Sequence, residues 1–109
     1  MKTNVNKVEL VGFAGMDAEV KEVREGMKVA RFSLATRESF KNKNGEWVST
    51  TTWHRIVLWN NNADLAAATV KKGARVSVTG KINKKSYQTE KGDTRHVFEI
   101  LAQNLTVMA

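Results

Sequence analysis

The run Trp53-His54-Arg55-Ile56-Val57-Leu58-Trp59 constrains the fold of this chain most, because successive side chains of an extended strand point to opposite faces. Trp53, Arg55, Val57 and Trp59 then share one face, with Trp47 in phase earlier in the sequence, while Ile56 and Leu58 point the other way into a core. Two indoles flanking a guanidinium, on a chain of formal net charge +7, make a surface on which flat rings can stack while cations meet phosphates. The competing reading is a strand buried on both faces, and this run alone does not separate the two.

A length of 109 residues with 41% hydrophobic content has room for one small domain and one core. The excess of 18 Lys+Arg over 11 Asp+Glu favours a polyanionic partner, but basic charge alone does not choose the anion. Cysteine is absent, which excludes disulfides, thiolate nucleophiles and sulfur-ligated metals and fits a reducing compartment. No apolar run approaches the roughly 20 residues needed to cross a bilayer, and Met1-Lys2-Thr3-Asn4 lacks the apolar stretch of a secretory signal. The expectation is a soluble cytoplasmic protein with no membrane partner.

Proline is missing and no Ser/Gly-rich linker interrupts the chain, so residues 1–109 read as a single domain. Val5 to Ala14 is a strand candidate, buried on both faces for part of its length, with Val8 and Leu10 on one side and Val11 and Phe13 on the other. Ala18 to Val23 extends it beyond a turn at Met16-Asp17. Lys28 to Phe40 alternates, with Ala30, Phe32 and Leu34 against Arg31 and Ser33. A polar Asn-Gly loop, Lys41 to Glu46, joins it as a hairpin to a strand from Trp47 to Trp59. Asn60 to Asn62 can cap a short helix over Ala63 to Val70, with Lys71 and Lys72 in its last turn and Gly73 beyond. Arg75 to Ile82, with Val76, Val78 and Ile82 apolar, is followed by a hairpin through Gln88 to Asp93 and a last strand, Thr94 to Val107. Three strands, a short helix and two strands is the order of an all-β, five-stranded Greek-key OB-fold barrel, with an open sheet or α+β sandwich as alternatives.

Little else in the sequence carries chemistry. His54 and His96 are the only histidines and have no ligand spacing, so neither a metal site nor a cofactor is expected. His54 reads as a core-edge or interface histidine with a satisfied hydrogen bond. No Gly-x-Ser-x-Gly elbow occurs, and Gly12-Phe13-Ala14-Gly15 lacks the Gly-Lys-Ser/Thr of a phosphate loop. Its glycines relieve crowding in a bent strand. Asp17, Glu19, Glu22 and Glu25 read as a solvated acidic side that avoids a polyanion. Positive signals recur elsewhere: Lys81, Lys84 and Lys85 lead to Tyr87, and Phe40 stands at the mouth of a loop among Arg37, Lys41 and Lys43. Phe13, Phe32 and Phe98 read as core.

Val5-Asn6-Lys7-Val8 with Leu10-Val11-Gly12, Leu34-Ala35-Thr36 with Glu38-Ser39-Phe40, Trp53-His54-Arg55 with Val57-Leu58, and Lys72-Gly73 with Val76 and Gly80 together resemble the bacterial single-stranded-DNA-binding protein family over essentially the whole chain. The resemblance implies an OB barrel that assembles as a homotetramer and binds single-stranded DNA without sequence preference, in replication, recombination and repair. It carries over stacking roles to Phe40, Trp53, Trp59 and Tyr87 and phosphate contacts to Lys43, Arg55, Lys72, Lys84 and Lys85. It also places His54 near a subunit interface. Trp47 is an addition to the family pattern. Most bacterial members continue into a flexible linker with an acidic tip that recruits replication and repair enzymes. This sequence stops at Val107-Met108-Ala109 with no such tip, leaving those protein partners open. Rival readings are a dimeric replication-restart protein of the same barrel, a Mg²⁺-dependent nuclease, and a structural oligomer whose exposed aromatics make protein interfaces.

Overall fold

In the computed structural model, which describes residues 4–108, the alternating segments become strands and the alanine-rich segment a helix. Met1 to Thr3 and Ala109, the ends of the sequence, lie outside the described residues. The elements are β1 (Val8–Ala14), β2 (Glu19–Arg24), β3 (Met27–Lys41), β4 (Trp47–Trp59), α1 (Asn61–Thr69), β5 (Arg75–Gln88) and β6 (Thr94–Met108). The sheet runs β1-β5-β6-β4-β3-β2, and a further pairing of β1 with β3 closes five of these strands into a ring. All pairings are antiparallel except β4 with β6, a parallel seam at Ile56↔Ile100 and Val57↔Leu101. A closed five-stranded barrel with one helix between its third and fourth strands is the OB-fold.

The expected extension of the first strand across Ala18 to Val23 takes a different form. β1 ends at Ala14, and β2 pairs only with β3, from Glu19↔Arg31 to Arg24↔Met27. Every residue of β2 is exposed, so it borders the barrel as an edge and contributes no wall.

Inside the ring, Phe32 and Leu34 of β3, Ile56 and Leu58 of β4, Val76 and Val78 of β5, and Ala102 and Leu105 of β6 form one core. Fully burying each of the larger side chains contributes on the order of 1.5–3 kcal/mol. Ala63, Ala66 and Val70 bring α1 against it with no accessible surface. Small alanines let the helix backbone approach closely. The asparagine cap is absent in the expected form. Asn60 adopts φ 53 and makes no side-chain cap bond; its Oδ1 instead accepts from the Lys28 N–H at 3.3 Å, tying the helix start to β3. Lys71 and Lys72 fall beyond the last turn.

Gly12 and Gly80 mark where barrel backbones come closest. A Cβ added to Gly12 would lie 2.1 Å from the Ala35 carbonyl oxygen, and one at Gly80 2.1 Å from that of Leu101. The crowding expected at the Gly12 bend is real, and its source is the β1–β3 crossing.

Phe13 and Phe98 are not core. They are 56% and 64% exposed. On β1 only the side carrying Val8 and Leu10 packs on the core, while Val11 and Phe13 face outward; alternation identifies two faces without showing that only one is covered. Phe98 fails as core for a second reason, since it pairs with Lys84 on a stretch of β5 and β6 that runs on to Gln88↔Thr94, past the seam with β4. Similarly, β3 and β4 pair to Lys41↔Trp47, whereas β1 reaches only Ala35 of β3. Two ribbon arms therefore leave the barrel.

Candidate nucleic-acid interface

Residues directly opposite across paired strands share a face, so register fixes what stands on the outer wall. Ala35↔Trp53, Ser33↔Arg55, Arg31↔Val57 and Val29↔Trp59 give the β3–β4 part. Val57↔Leu101 carries that face onto β6, and Lys81↔Leu101, Asn83↔Glu99 and Lys85↔Val97 carry it onto β5. The result is a groove whose floor is Val57, Leu101 and Glu99 and whose sides are Arg31, Trp59, Asn83, Lys84 and Lys85. Val57 is 4% exposed because the arm flanks it. This is the one residue of the opening run's outer face that is sealed.

An adjoining cleft contains Arg31, Arg55, Glu99, Met16 and Glu19, so Arg31 and Glu99 belong to both. Trp53 lies further along, where one cleft holds it with Arg55, Ile82, His96 and Phe98 and another with Phe13, Ala35, Arg37 and Thr51. Its indole rests on the backbone at Gly15, where an added Cβ would come within 2.5 Å of Cζ3. A ring met by Gly15 along one edge and 60% exposed leaves most of its surface to solvent. Trp59 is 37% exposed.

The cations on this wall have no carboxylate partner among the described residues. Among the described residues the ion pairs are Lys7–Glu9 and Lys28–Asp64, and neither involves Arg31, Arg55, Lys84 or Lys85. Glu99, buried in the groove floor at 7% exposure, sits among these cations without a close ion pair among the described residues, and none of its oxygens is left sealed and unpartnered.

Of the residues singled out by sequence, the structure gathers Trp59, Lys84 and Lys85 in one groove and sets Arg55 and Trp53 beside it. The others stand apart. Phe40, 50% exposed, pairs with Val48 and so occupies the opposite face of the β3–β4 arm from Trp53. Tyr87, 47% exposed, pairs with Arg95 towards the end of the β5–β6 arm, on the side that carries Lys85. Lys43 is exposed in the β3–β4 turn, which Asn42 Oδ1 braces by accepting from the N–H groups of Asn44 and Glu46 at 2.9 and 3.0 Å. Lys72 lies after α1, its N–H donating to Asp17 Oδ1 at 2.8 Å. His54 is half-buried with Nε2 2.8 Å from Thr36 Oγ1.

The acidic side is only partly remote, because Glu19 lines the same cleft as Arg31 and Arg55. Sequence reasoning passed over Arg31 and Glu99 as site residues. Arg31 was detectable as the polar partner of an alternating strand; Glu99 carries no local signal, since its place follows from the β5–β6 register. Phe13 was set aside as core for want of the same long-range information.

An OB barrel with exposed rings and unpaired cations on one wall defines a protein of the oligonucleotide-binding class. The chain belongs to the single-strand binding protein family, whose profile matches residues 5–108. It is 37% identical to single-stranded DNA-binding protein 1 of Chlorobaculum tepidum, over 99% of this chain and 67% of that protein. It is 35% identical to the single-stranded DNA-binding protein of Neisseria meningitidis serogroup A, over 96% of this chain and 60% of that one. The chain thus spans about 60% of the length of the Neisseria relative. Among solved structures, Plasmodium falciparum SSB in complex with ssDNA superposes with a TM-score of 0.91 at 33% identity, covering 100% of this chain and 99% of that one.

Proposed function

We propose that this chain binds single-stranded DNA without sequence preference and protects exposed strands during replication, recombination and repair, acting by binding and not by catalysis. The observation that carries this reading is the coincidence, on one barrel wall, of the accessible indoles of Trp53 and Trp59 with the cations Arg31, Arg55 and Lys85, which have no carboxylate partner among the described residues, while Lys84 borders the same groove from the other face of the β5–β6 arm. Every base has a face that can stack and every linkage a phosphate, so such a wall holds a strand whatever its sequence. Single-strand binding by family relatives, and the ssDNA complex of the Plasmodium protein, support the same assignment.

In this reading Trp53 and Trp59 stack bases along the wall, Phe40 and Tyr87 stack bases on the arms, and Arg55, Lys84 and Lys85 hold phosphates. Lys43 and Lys72 extend the cationic track at its ends. The protein works as a homotetramer in the bacterial cytoplasm, with His54 near a contact between protomers, where its bond to Thr36 fixes the imidazole.

Titration of intrinsic tryptophan emission with oligo(dT) at two salt concentrations tests the reading. Saturable quenching is expected, with an affinity that falls on a log-log plot by about 0.7 per neutralised phosphate. No quenching and no binding at low salt overturns it. Light scattering, with four times the monomer mass expected, tests the assembly.

A further inference from the structure

We propose that Trp47 and Lys41, at the end of the β3–β4 arm, form a stacking station for single-stranded DNA that is separate from the barrel groove. The proposal rests on the single-strand binding reading and extends it to a residue outside the family pattern.

Trp47 is 72% exposed, the most exposed aromatic side chain of the described residues. It lies directly opposite Lys41, whose Nζ stands 5.9 Å from the ring centroid, within the range of a cation–π contact. The arm has no core to receive an indole at this point, since β1 reaches only to Ala35 and the β4–β6 seam lies at Ile56 and Val57. A large apolar ring held in water with one side met by a cation leaves its other side for a planar partner. A base fits because it offers a ring to the indole and a phosphate to the ammonium.

Register adds continuity. Trp47 and Lys41 share the face that carries Ser39, Ser49, Arg37, Thr51 and Trp53. Small hydroxyl side chains and one guanidinium thus bridge the tip to the barrel, a distance of roughly 20 Å along the strand. A strand lying on Trp53 can follow this track outward. Charge favours a polyanion as occupant: Arg37, Lys41 and Lys43 outnumber Glu38 and Glu46 along the arm.

The test uses two variants. In Trp53→Phe/Trp59→Phe, Trp47 is the sole indole and the wall keeps aromatic rings; long oligo(dT) is expected to quench its emission in step with binding followed by anisotropy of a labelled strand. Trp47→Ala is expected to lower affinity for long oligo(dT) about fivefold or more, with the melting temperature unchanged, and Trp47→Phe to restore most of it. A strand too short to leave the barrel wall should bind wild type and Trp47→Ala alike. Unquenched Trp47 emission with bound strand, or equal affinities of wild type and Trp47→Ala, overturns the station while single-strand binding stands. A changed oligomeric mass in Trp47→Ala with unchanged affinity also overturns it, by assigning the ring to a protein contact. Wild type that binds no oligo(dT) overturns both readings.

Discussion

Single side chains divide here into those that hold the barrel and those that face outward, and burial decides which substitution does what. Phe32 is 2% exposed, so Phe32→Ala should cost about 3–5 kcal/mol in folding. The folded fraction should still bind with native affinity. Trp53→Ala and Trp59→Ala should each weaken oligo(dT) binding by about 1–3 kcal/mol, with Trp53→Ala nearly neutral in denaturant unfolding; equal affinities of Phe32→Ala and Trp53→Ala, corrected for folding, would remove Trp53 from the site. Two glycines give a second contrast. Gly12→Ala drives a methyl into the Ala35 carbonyl, a backbone atom that cannot step aside, and should destabilise by about 1–3 kcal/mol. Gly15→Ala meets only the edge of the Trp53 indole, which can swing. That variant should melt near wild type yet bind oligo(dT) several-fold more weakly, as titration would record. Residue identity was legible to this level for Trp53, Arg55, Ile56 and Leu58, where a strong alternation sits on a strand with one covered face. It failed for Phe13 and Phe98, whose aliphatic neighbours imitate a core phase on surfaces that the fold leaves open.

Elements were legible where a local pattern makes them. Both hairpins, the helix and the strand order follow from alternation, turn glycines and an alanine run. The separate pairing of β2 with β3, and the replacement of a helix cap by the Asn60–Lys28 tie, depend on partners distant in sequence. Arm length has a functional corollary, because the β5–β6 ribbon carries Lys84 and Lys85 beside Trp59. Neither lysine has a carboxylate partner among the described residues. Lys84→Gln and Lys85→Gln should therefore leave unfolding unchanged within about 0.5 kcal/mol and each reduce the slope of log affinity against log salt by about 0.7. An unaltered slope in the double variant would place the phosphates elsewhere.

At the scale of the whole molecule, an excess of positive charge surrounds a barrel whose closure between β4 and β6 rests on a short parallel seam at Ile56 and Val57. Ile56→Ala removes a side chain 1% exposed at that seam and should cost about 2–5 kcal/mol, read by denaturant unfolding. The two ribbons draw no such support from the core, and backbone of this kind opens locally long before the barrel does. Lys43 and Lys91 lie in the turns at their ends. Trypsin should thus nick the free protein at these tips while the barrel survives. A polynucleotide laid across both ribbons tethers them to the wall, so a loaded molecule should resist the protease there and become stiffer than an empty one, with the cost of that ordering subtracted from every measured affinity.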